Sequence, residues 1–419
     1  MGPRIRNGTL WLRRFAGTTP GVIAVVVVVS VVLCLLAGFA CANQMSDKGA
    51  RRDAALAHTE PLAFAAQRLY VALSAADASA AAEFLSTGSA AVAPRQRYQQ
   101  SLADAAAALS EATAGASDEQ TRQIVARVAA DLPAYTGLVE TARANNRQGF
   151  PVGSSYLSEA SEVMQKSLLP NAERLTADRF AAVRDDQRAI ATMPVLSIVL
   201  VVLVLIVCAV GSWILLRRTN RLANLGVAAA AVAAVLALLW LIAATGVASN
   251  ALDTGASGAS NRFETLAKAR IAAQQARTDE TLQLITRGDI AAGEDQYTKH
   301  AADLRDRLAT VVGPDSVAVQ ELATWSAGHQ AQVEAYQAAN YPAAVAQAIG
   351  AAPTSSATQF AALDRSLNDN LAQARRDLRD GLDTAGSALI LSPSGTLVLL
   401  VFAAAAVVAG VWPRLKEFL

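Results

Sequence analysis

The chain has 419 residues, of which 53% are hydrophobic and 17% charged, and its formal net charge is +1. Because globular domains carry about 25% charged residues, the deficit indicates membrane-spanning segments rather than one large soluble core. The near-zero net charge excludes the strongly basic surface of nucleic-acid-binding proteins. Abundant alanine, with only 5% aromatic residues, favours helices over strands.

Four stretches without a charged residue are long enough to cross a membrane: residues 21–42, 194–216, 225–247 and 389–412. A helix needs about 20 apolar residues to span the hydrocarbon core. We interpret the first stretch as an uncleaved anchor, because its apolar run exceeds the roughly 7–15 residues of a signal-peptide core. The alternative is cleavage near Ala40-Cys41-Ala42, which would leave three spans and the same topology elsewhere.

Basic residues flank these spans in three short segments: residues 1–20, the turn 217–224 and residues 413–419. The three segments share one side of the membrane if all four stretches span it, and short basic flanks face the cytoplasm. We therefore predict a multi-pass protein of the plasma (inner) membrane with both termini in the cytoplasm. The long segments 43–193 and 248–388 are then extracytoplasmic.

Both long segments repeat apolar residues at spacings of three and four, which is typical of amphipathic helices. The helices predicted in the first segment cover residues 60–88, 97–115, 117–146 and 153–190, the last running on into the second span. Those of the second segment cover about 256–286, 290–311, 315–339 and 355–385, with a loop at 351–356. Each segment thus predicts a four-helix bundle whose first and last helices continue into the membrane.

The two halves of the chain also resemble each other at a constant spacing, which indicates an internal duplication. An offset of 199 residues relates three matched pairs: Pro194 and Pro393, Gly211 and Gly410, and Trp213 and Trp412. The same offset relates "RYQQSLADAAAAL", from Arg97, to "QYTKHAADLRDRL", from Gln296. The predicted fold class is an all-α membrane protein, with four transmembrane helices and two extracytoplasmic four-helix-bundle modules related by duplication.

The sequence lacks a pattern that supports catalysis, cofactor binding or metal binding. Its three histidines, His58, His300 and His329, have no second histidine or cysteine three or four residues away. His329 stands 194 residues after Tyr135 and is interpreted as the same half-buried packing position. The run Arg375-Arg376-Asp377 is interpreted as a solvated helix face. The spans carry no charge for an ion pathway, so we do not expect a transporter. We do not expect an enzyme either, because the sequence shows neither a nucleophile–base set nor a metal-ligand set.

The predicted cytoplasmic segments are too short to form an output domain, so a signal reaching the cytoplasm must pass to a separate protein. Their basic residues are the candidate partner-binding site: Arg217, Arg218, Arg221, Arg414 and Lys416. We hypothesise that these residues contact an acidic patch on a cytoplasmic partner. The alternative is that they only fix the topology, and the two roles are compatible.

Several features together resemble the actinobacterial GlnX-type membrane proteins. They are the duplicated plan, "LYVALSAADASAAAEFLSTG" (Leu69 to Gly88), "RTDETLQLITRGD" (Arg277 to Asp289) and the terminal "RLKEF". The resemblance implies two partners, an extracytoplasmic solute-binding lipoprotein and a cytoplasmic serine/threonine kinase, protein kinase G. It implies that the membrane protein relays amino-acid availability from the lipoprotein to the kinase.

Two other functions stay open on the sequence. One is a structural scaffold or assembly subunit of a cell-envelope complex, and the other is a direct sensor of small molecules. A homo-oligomer is compatible with each of these functions.

Overall fold

The computed structural model describes residues 19–86, 88–219, 224–253, 255, 258–286 and 290–416. Within these ranges the chain forms helices joined by short turns, and no strand is present among them. The all-helical expectation is therefore confirmed for the described chain.

Seven α-helices lie in the first half of the chain. Helices α1 to α7 cover Thr19–Ala54, Glu60–Leu85, Val92–Gly115, Glu119–Arg147, Val152–Val163, Leu169–Ala191 and Val195–Thr219. π-Helical segments, Ala55–Thr59 and Met164–Leu168, join α1 to α2 and α5 to α6, and a 3-10 turn covers Gly88–Ala91. The run from α1 to α2 is thus helical without a break, as expected for the first helix of the first segment.

Seven further α-helices follow in the second half. Helices α8 to α14 cover Leu225–Leu252, Ala259–Thr286, Ala291–Val311, Val317–Gln337, Tyr341–Ile349, Ser356–Leu389 and Ser392–Lys416. The short helix α12 was not expected. It begins after Asn340, whose side chain accepts a hydrogen bond from the Ala343 backbone N–H at 3.3 Å, as a capping residue does.

Four helices are long and apolar enough to cross a membrane, on the criteria of length and composition. Their apolar parts lie in α1, α7, α8 and α14, and each overlaps one of the four spans predicted from the sequence. These helices belong to a compact unit formed by residues 1–53, 186–253 and 381–419, of which the described part begins at residue 19. We call it the apolar unit.

Contacts inside the apolar unit show that α1 and α7 run antiparallel to each other, and that α8 and α14 do so too. The start of α7 meets the end of α1, where Ser197 Oγ donates to Gln44 Oε1 at 2.5 Å. Between α8 and α14, Trp240 in the middle of α8 donates from Nε1 to Ser392 Oγ, at the start of α14, at 3.2 Å. Gly226 at the start of α8 touches the backbone of Gly410 near the end of α14. The start of α8 and the end of α14 therefore lie at the same end of the unit.

The expectation that the last helix of the first segment runs on into the second span is wrong. Helix α6 ends at Ala191 and α7 begins at Val195. Pro194 lies in between, and a proline disfavours helical geometry in the residue before it. Lys48 of α1 donates from Nζ to the carbonyl of Ile190 at 2.8 Å and to that of Thr192. Lys48 thus supplies a hydrogen-bond donor to carbonyls that the end of α6 leaves without a helical partner.

A second compact unit comprises residues 54–185 and 254–380, so both long segments fold into one body. We call it the polar-helix unit. Helix α2 packs on α3 and on α9, and α9 packs on α10. Between the segments, the rings of Phe180 and Phe263 meet edge to face at 4.9 Å. Ser74 and Thr278 hydroxyls lie 3.4 Å apart, and Arg184 pairs with Glu264.

Candidate functional site

A buried carboxylate lies inside the first segment, on α2. Asp77 is 3% exposed and accepts hydrogen bonds from Ser161 Oγ at 3.0 Å and from Tyr135 Oη and Gln165 Nε2 at 3.4 Å. We call these four residues the Asp77 cluster. Burial raises the pKa of Asp77 to about 6, against the opposing effect of the three donors. The cluster can therefore take up a proton near neutral pH.

A second buried carboxylate lies inside the second segment, on α9. Glu280 is fully buried and pairs with Arg277, with the hydroxyl of Ser356 and with Trp325 Nε1, the last at 3.2 Å. His329 Nδ1 lies 3.4 Å from Glu280 Oε1. We call these five residues the Glu280 cluster. Burial raises the pKa of Glu280, but the adjacent Arg277 and His329 outweigh it and hold the pKa at about 2.

His329 has carboxylates on both sides and an aromatic ring against its face. Its Nε2 lies 3.2 Å from a carboxylate oxygen of Glu294, and the Tyr297 ring stacks on the imidazole with centroids 3.5 Å apart. Burial lowers the pKa of His329, but Glu280 and Glu294 outweigh it and raise the pKa to about 9. His329 is 4% exposed, so it is a charged core residue rather than a half-buried packing residue.

A pocket of about 500 Å³ opens on the first segment, between α2, α3, α4 and α5. Phe84, Val139 and Leu157 contribute apolar walls, and Arg95 and Arg147 lie at its edge. Arg143, which is 8% exposed, is held by Glu83 through Nε at 2.8 Å and Nη2 at 2.6 Å. Among the described residues that line this pocket, Arg143 is the buried cation, and Glu83 already neutralises its charge.

A smaller cleft of about 360 Å³ lies inside the polar-helix unit, between α2 and α3 of the first segment and α9 and α13 of the second. Three arginines line it: Arg97, Arg277 and Arg365. We call it the arginine cleft. It differs from the first pocket because residues of both segments contribute to it.

The predicted cytoplasmic site lies at the ends of two apolar helices. Arg217 is exposed, and its guanidinium lies 4.0 Å above the ring of Trp213 on the same helix, α7. Arg218 lies in α7, and Arg414 and Lys416 lie in the last turn of α14, but their side chains are outside the described part. Arg221 is outside the described residues. Gly226 and Gly410 bring the adjoining helix ends together.

The interpretation of Arg375 as a solvated residue is wrong. Arg375 and Arg379 on α13 both pair with Glu60 on α2, a carboxylate that is fully buried. Arg375 also lies over the Phe64 ring at 3.9 Å. A charge run read from the sequence does not reveal a partner about 300 residues away, so this contact between the segments was missed.

The buried carboxylates were also missed, although the sequence contains a signal for one of them. Asp77 follows Leu69 and Leu73 at spacings of four, so it falls on the apolar stripe of its helix. A charged residue on such a stripe is expected to be buried and hydrogen-bonded. That signal identifies a polar core position, although it does not identify the donors.

Residues 51–188 match the family model of an actinobacterial sensor domain. The matched range covers helices α2 to α5 and most of α6, and it contains the Asp77 cluster and the 500 Å³ pocket. No curated protein and no solved structure shows a significant match to the chain.

Together these findings define a class of protein. The chain is helical, it has four helices apolar enough to cross a membrane, and part of it resembles actinobacterial sensor domains. This combination supports a membrane protein of actinobacterial type with a role in sensing.

Proposed function

We propose that the protein is a non-enzymatic signalling protein of the plasma membrane. The apolar unit holds four transmembrane helices, with both termini and the turn 217–224 in the cytoplasm, and the polar-helix unit detects an extracytoplasmic signal. By the GlnX-type resemblance, that signal is amino-acid availability presented by a solute-binding lipoprotein, and the receiver is a cytoplasmic serine/threonine kinase. The observation that carries the sensing role is the sensor-domain match over residues 51–188.

The antiparallel packing of the apolar unit supports this topology. Gly226 meets Gly410, so the turn before α8 and the end of α14 share one end of the unit. Gly211 near the end of α7 lies close to Val26 near the start of α1. The three basic segments thus adjoin helix ends on one side, as the positive-inside rule requires.

We also propose that the long segments are duplicated modules. Each holds a buried carboxylate on its first long helix, with a serine hydroxyl donating to it. A second neighbour of each carboxylate is Tyr135 beside Asp77 and His329 beside Glu280. Tyr135 and His329 stand 194 residues apart and were interpreted from the sequence as equivalent positions. The carboxylates themselves stand 203 residues apart, so the two polar cores are similar in composition rather than identical in register, as duplication followed by divergence allows.

The relay would use helix displacement. One helical run extends from the first apolar span to Leu85, inside the sensor-domain match. The π-helical segment Ala55–Thr59 interrupts its regular hydrogen bonding, and such segments often occur at functional sites. A shift or rotation of this helix on partner binding would be passed from α1 to α7, where Gly211 lies close to Val26. It would reach the cytoplasmic turn through the end of α7.

The test replaces the turn arginines in two ways. Arg217, Arg218 and Arg221 become lysines in one variant, which keeps the charge that sets topology but loses the planar fork of guanidinium. They become alanines in the other. We expect kinase recruitment to membranes to fall in both variants, while reporter fusions at residues 116, 220 and 314 keep their orientation in the lysine variant.

Two results would contradict the proposal. An extracytoplasmic reporter signal at residue 220 in the wild type would overturn the topology. Unchanged kinase recruitment in the alanine variant would remove these arginines from the relay.

A further inference from the structure

The arginine cleft is lined by both segments of the polar-helix unit. Arg97 and Gln100 come from α3, Arg277 from α9, and Phe360 and Arg365 from α13. Its volume of about 360 Å³ is within the range of small-ligand sites, which begins at about 300 Å³. A molecule in this cleft would touch both segments at once.

Two charges near the cleft are already matched. Arg277 is 7% exposed and pairs with Glu280, and its Nη2 donates to the Ala348 carbonyl at 2.9 Å. Asp364 accepts from Arg270 Nε at 2.8 Å and from Arg270 Nη2 at 2.9 Å. Asp364 is the one carboxylate among the described residues that line the cleft, and it is already paired with Arg270, which lies outside the lining.

Two lining arginines remain without a carboxylate partner. Within the described chain, Arg97 makes no hydrogen bond or ion pair, and Arg365 donates only to the Ala361 carbonyl of its own helix, at 3.1 Å. Arg97 and Arg365 are both exposed at the mouth of the cleft, and partial desolvation, followed by the nearby Arg277, lowers the pKa of Arg97. Of the three arginines that line the cleft, only Arg277 has a carboxylate partner, so an anion bound between Arg97 and Arg365 would supply the missing counter-charge.

The rest of the wall combines small apolar residues with the polar side chains of Ser79, Ser101, Gln100 and Gln274. Helix α2 contributes Ala75, Ala78 and Ala82, and the Phe360 ring lies on the opposite helix. Phe360 is fixed from behind by an edge-to-face contact with Trp325, with centroids 5.1 Å apart. Guanidinium groups beside a fixed aromatic ring suit a ligand that carries both a negative group and an apolar body.

We propose that the arginine cleft binds a small organic anion. Arg97 and Arg365 hold its carboxylate or phosphate group, and its apolar body lies between Phe360 and the alanines of α2. The bound anion links α3 to α13 and so stabilises the contact between the two segments. This site goes beyond the proposed relay, because it gives the sensor a chemical input separate from an external protein partner.

Calorimetric titration of the purified full-length protein in detergent tests the site. The probes are phenyl phosphate and benzoate, with inorganic phosphate and benzylammonium as controls for the apolar body and for the charge. We expect saturable binding of at least one organic anion, tighter than that of either control. A preference for phenyl phosphate identifies a phosphate site, and a preference for benzoate identifies a carboxylate site.

Variants locate the binding. Arg97→Gln should weaken it about tenfold or more, since a charge-assisted hydrogen bond is lost. The matched control is Arg127→Gln on the exposed face of α4, which should leave the affinity unchanged. Arg97 is exposed and makes no ion pair within the described chain, so Arg97→Gln should leave the thermal unfolding temperature unchanged, and that measurement separates a loss of binding from misfolding.

The proposal is overturned if neither organic anion binds below about 10 mM, a concentration that corresponds to only weak affinity. It is also overturned if benzylammonium or inorganic phosphate binds as tightly, or if Arg97→Gln and Arg127→Gln bind alike. The titration contains neither lipoprotein nor kinase, so a negative result leaves the relay to be judged by its own test.

Discussion

Asp77 shows at the residue scale how a buried acid makes stability depend on pH. Its folded-state pKa of about 6 lies above the model-peptide value of 3.8, so the folded chain binds this proton more tightly than the unfolded chain. The contribution to stability is therefore greatest below pH 3.8, declines as pH rises to about 6, and is constant above that. A shift of this size corresponds to about 3 kcal/mol.

Asp77→Asn should remove that pH dependence. The amide keeps an oxygen that accepts from Ser161 but carries no charge, so we expect the variant to be at least as stable as the wild type at pH 7. Thermal unfolding of the full-length protein between pH 4 and 7 measures the difference. Asp104→Asn, an exposed position on α3, is the control. Parallel wild-type and Asp77→Asn curves would show that Asp77 titrates normally.

His329 makes stability depend on pH in the same direction as Asp77, but over a higher pH range. Its folded-state pKa is raised from 6.5 to about 9, so its stabilising contribution is complete below pH 6.5 and is lost as pH rises through 9. Histidine NMR of the protein, which has three histidines, should show one imidazole with a midpoint near 9. That resonance should be missing in His329→Gln. A midpoint below 7 for the missing resonance would contradict the assignment.

The polar core was only partly predictable from the sequence. The position of Asp77 on an apolar stripe was visible, and so was the match between Tyr135 and His329. The charge state of His329 was not visible, because it depends on Glu280 and Glu294, which are far from it in the chain. A side chain's environment is set by tertiary contacts, which local spacing does not specify.

At the scale of elements, the closest packing in the apolar unit is between α8 and α14. A Cβ added to Gly226 would lie 2.5 Å from the Gly410 Cα and would also collide with the Ala406 carbonyl oxygen. Backbone atoms cannot move aside as a flexible side chain can. Small residues at helix crossings permit this kind of approach in membranes, so the two glycines set the distance between the helices.

Gly226→Ala should therefore destabilise the protein by about 1–3 kcal/mol, the usual cost of overpacking. The control is Gly246→Ala on the same helix, where the added Cβ meets nothing within 4 Å. There, alanine's higher helix propensity should stabilise by up to about 1 kcal/mol. Unfolding in a mixed-detergent titration measures both variants. Shifts of equal sign would indicate that the α8–α14 contact does not constrain the pair.

Most element boundaries followed from the sequence because they depend on local chemistry. Asp118 accepts the Thr121 N–H at 2.8 Å and so caps the start of α4. The exceptions are the short helix α12, inside the second long segment, and the break before α7. The break before α7 was missed because the apolar pattern continues through Met193 and Pro194, and the backbone preference of a pre-proline residue prevailed.

On the scale of the whole molecule, charged contacts between α2 and α13 help to join the two long segments, beside the packing of α2 on α9. Glu60 is fully buried and faces Arg375 and Arg379, which are 25% and 45% exposed in their side chains. Because both arginines reach water, the pairs are worth less than fully buried ones. Glu60 is shielded from water, so solvent cannot take the place of the two arginines. Removing its charge should therefore weaken the contact between the segments more than removing one charge of a surface pair would.

Glu60→Gln should thus weaken the joint between segments 54–185 and 254–380. We expect a loss of about 1–2 kcal/mol, with unfolding that separates into two steps as the segments lose cooperativity. Glu111→Gln is the matched control, because Glu111 forms an exposed pair with Arg68 and should change stability by less than about 1 kcal/mol. Calorimetry on the full-length protein resolves the steps. If Glu60→Gln unfolds in one step at the wild-type temperature, the other contacts between the segments are sufficient to join them, and a signal received by one would reach the other through α2 and α9 rather than through this charge cluster.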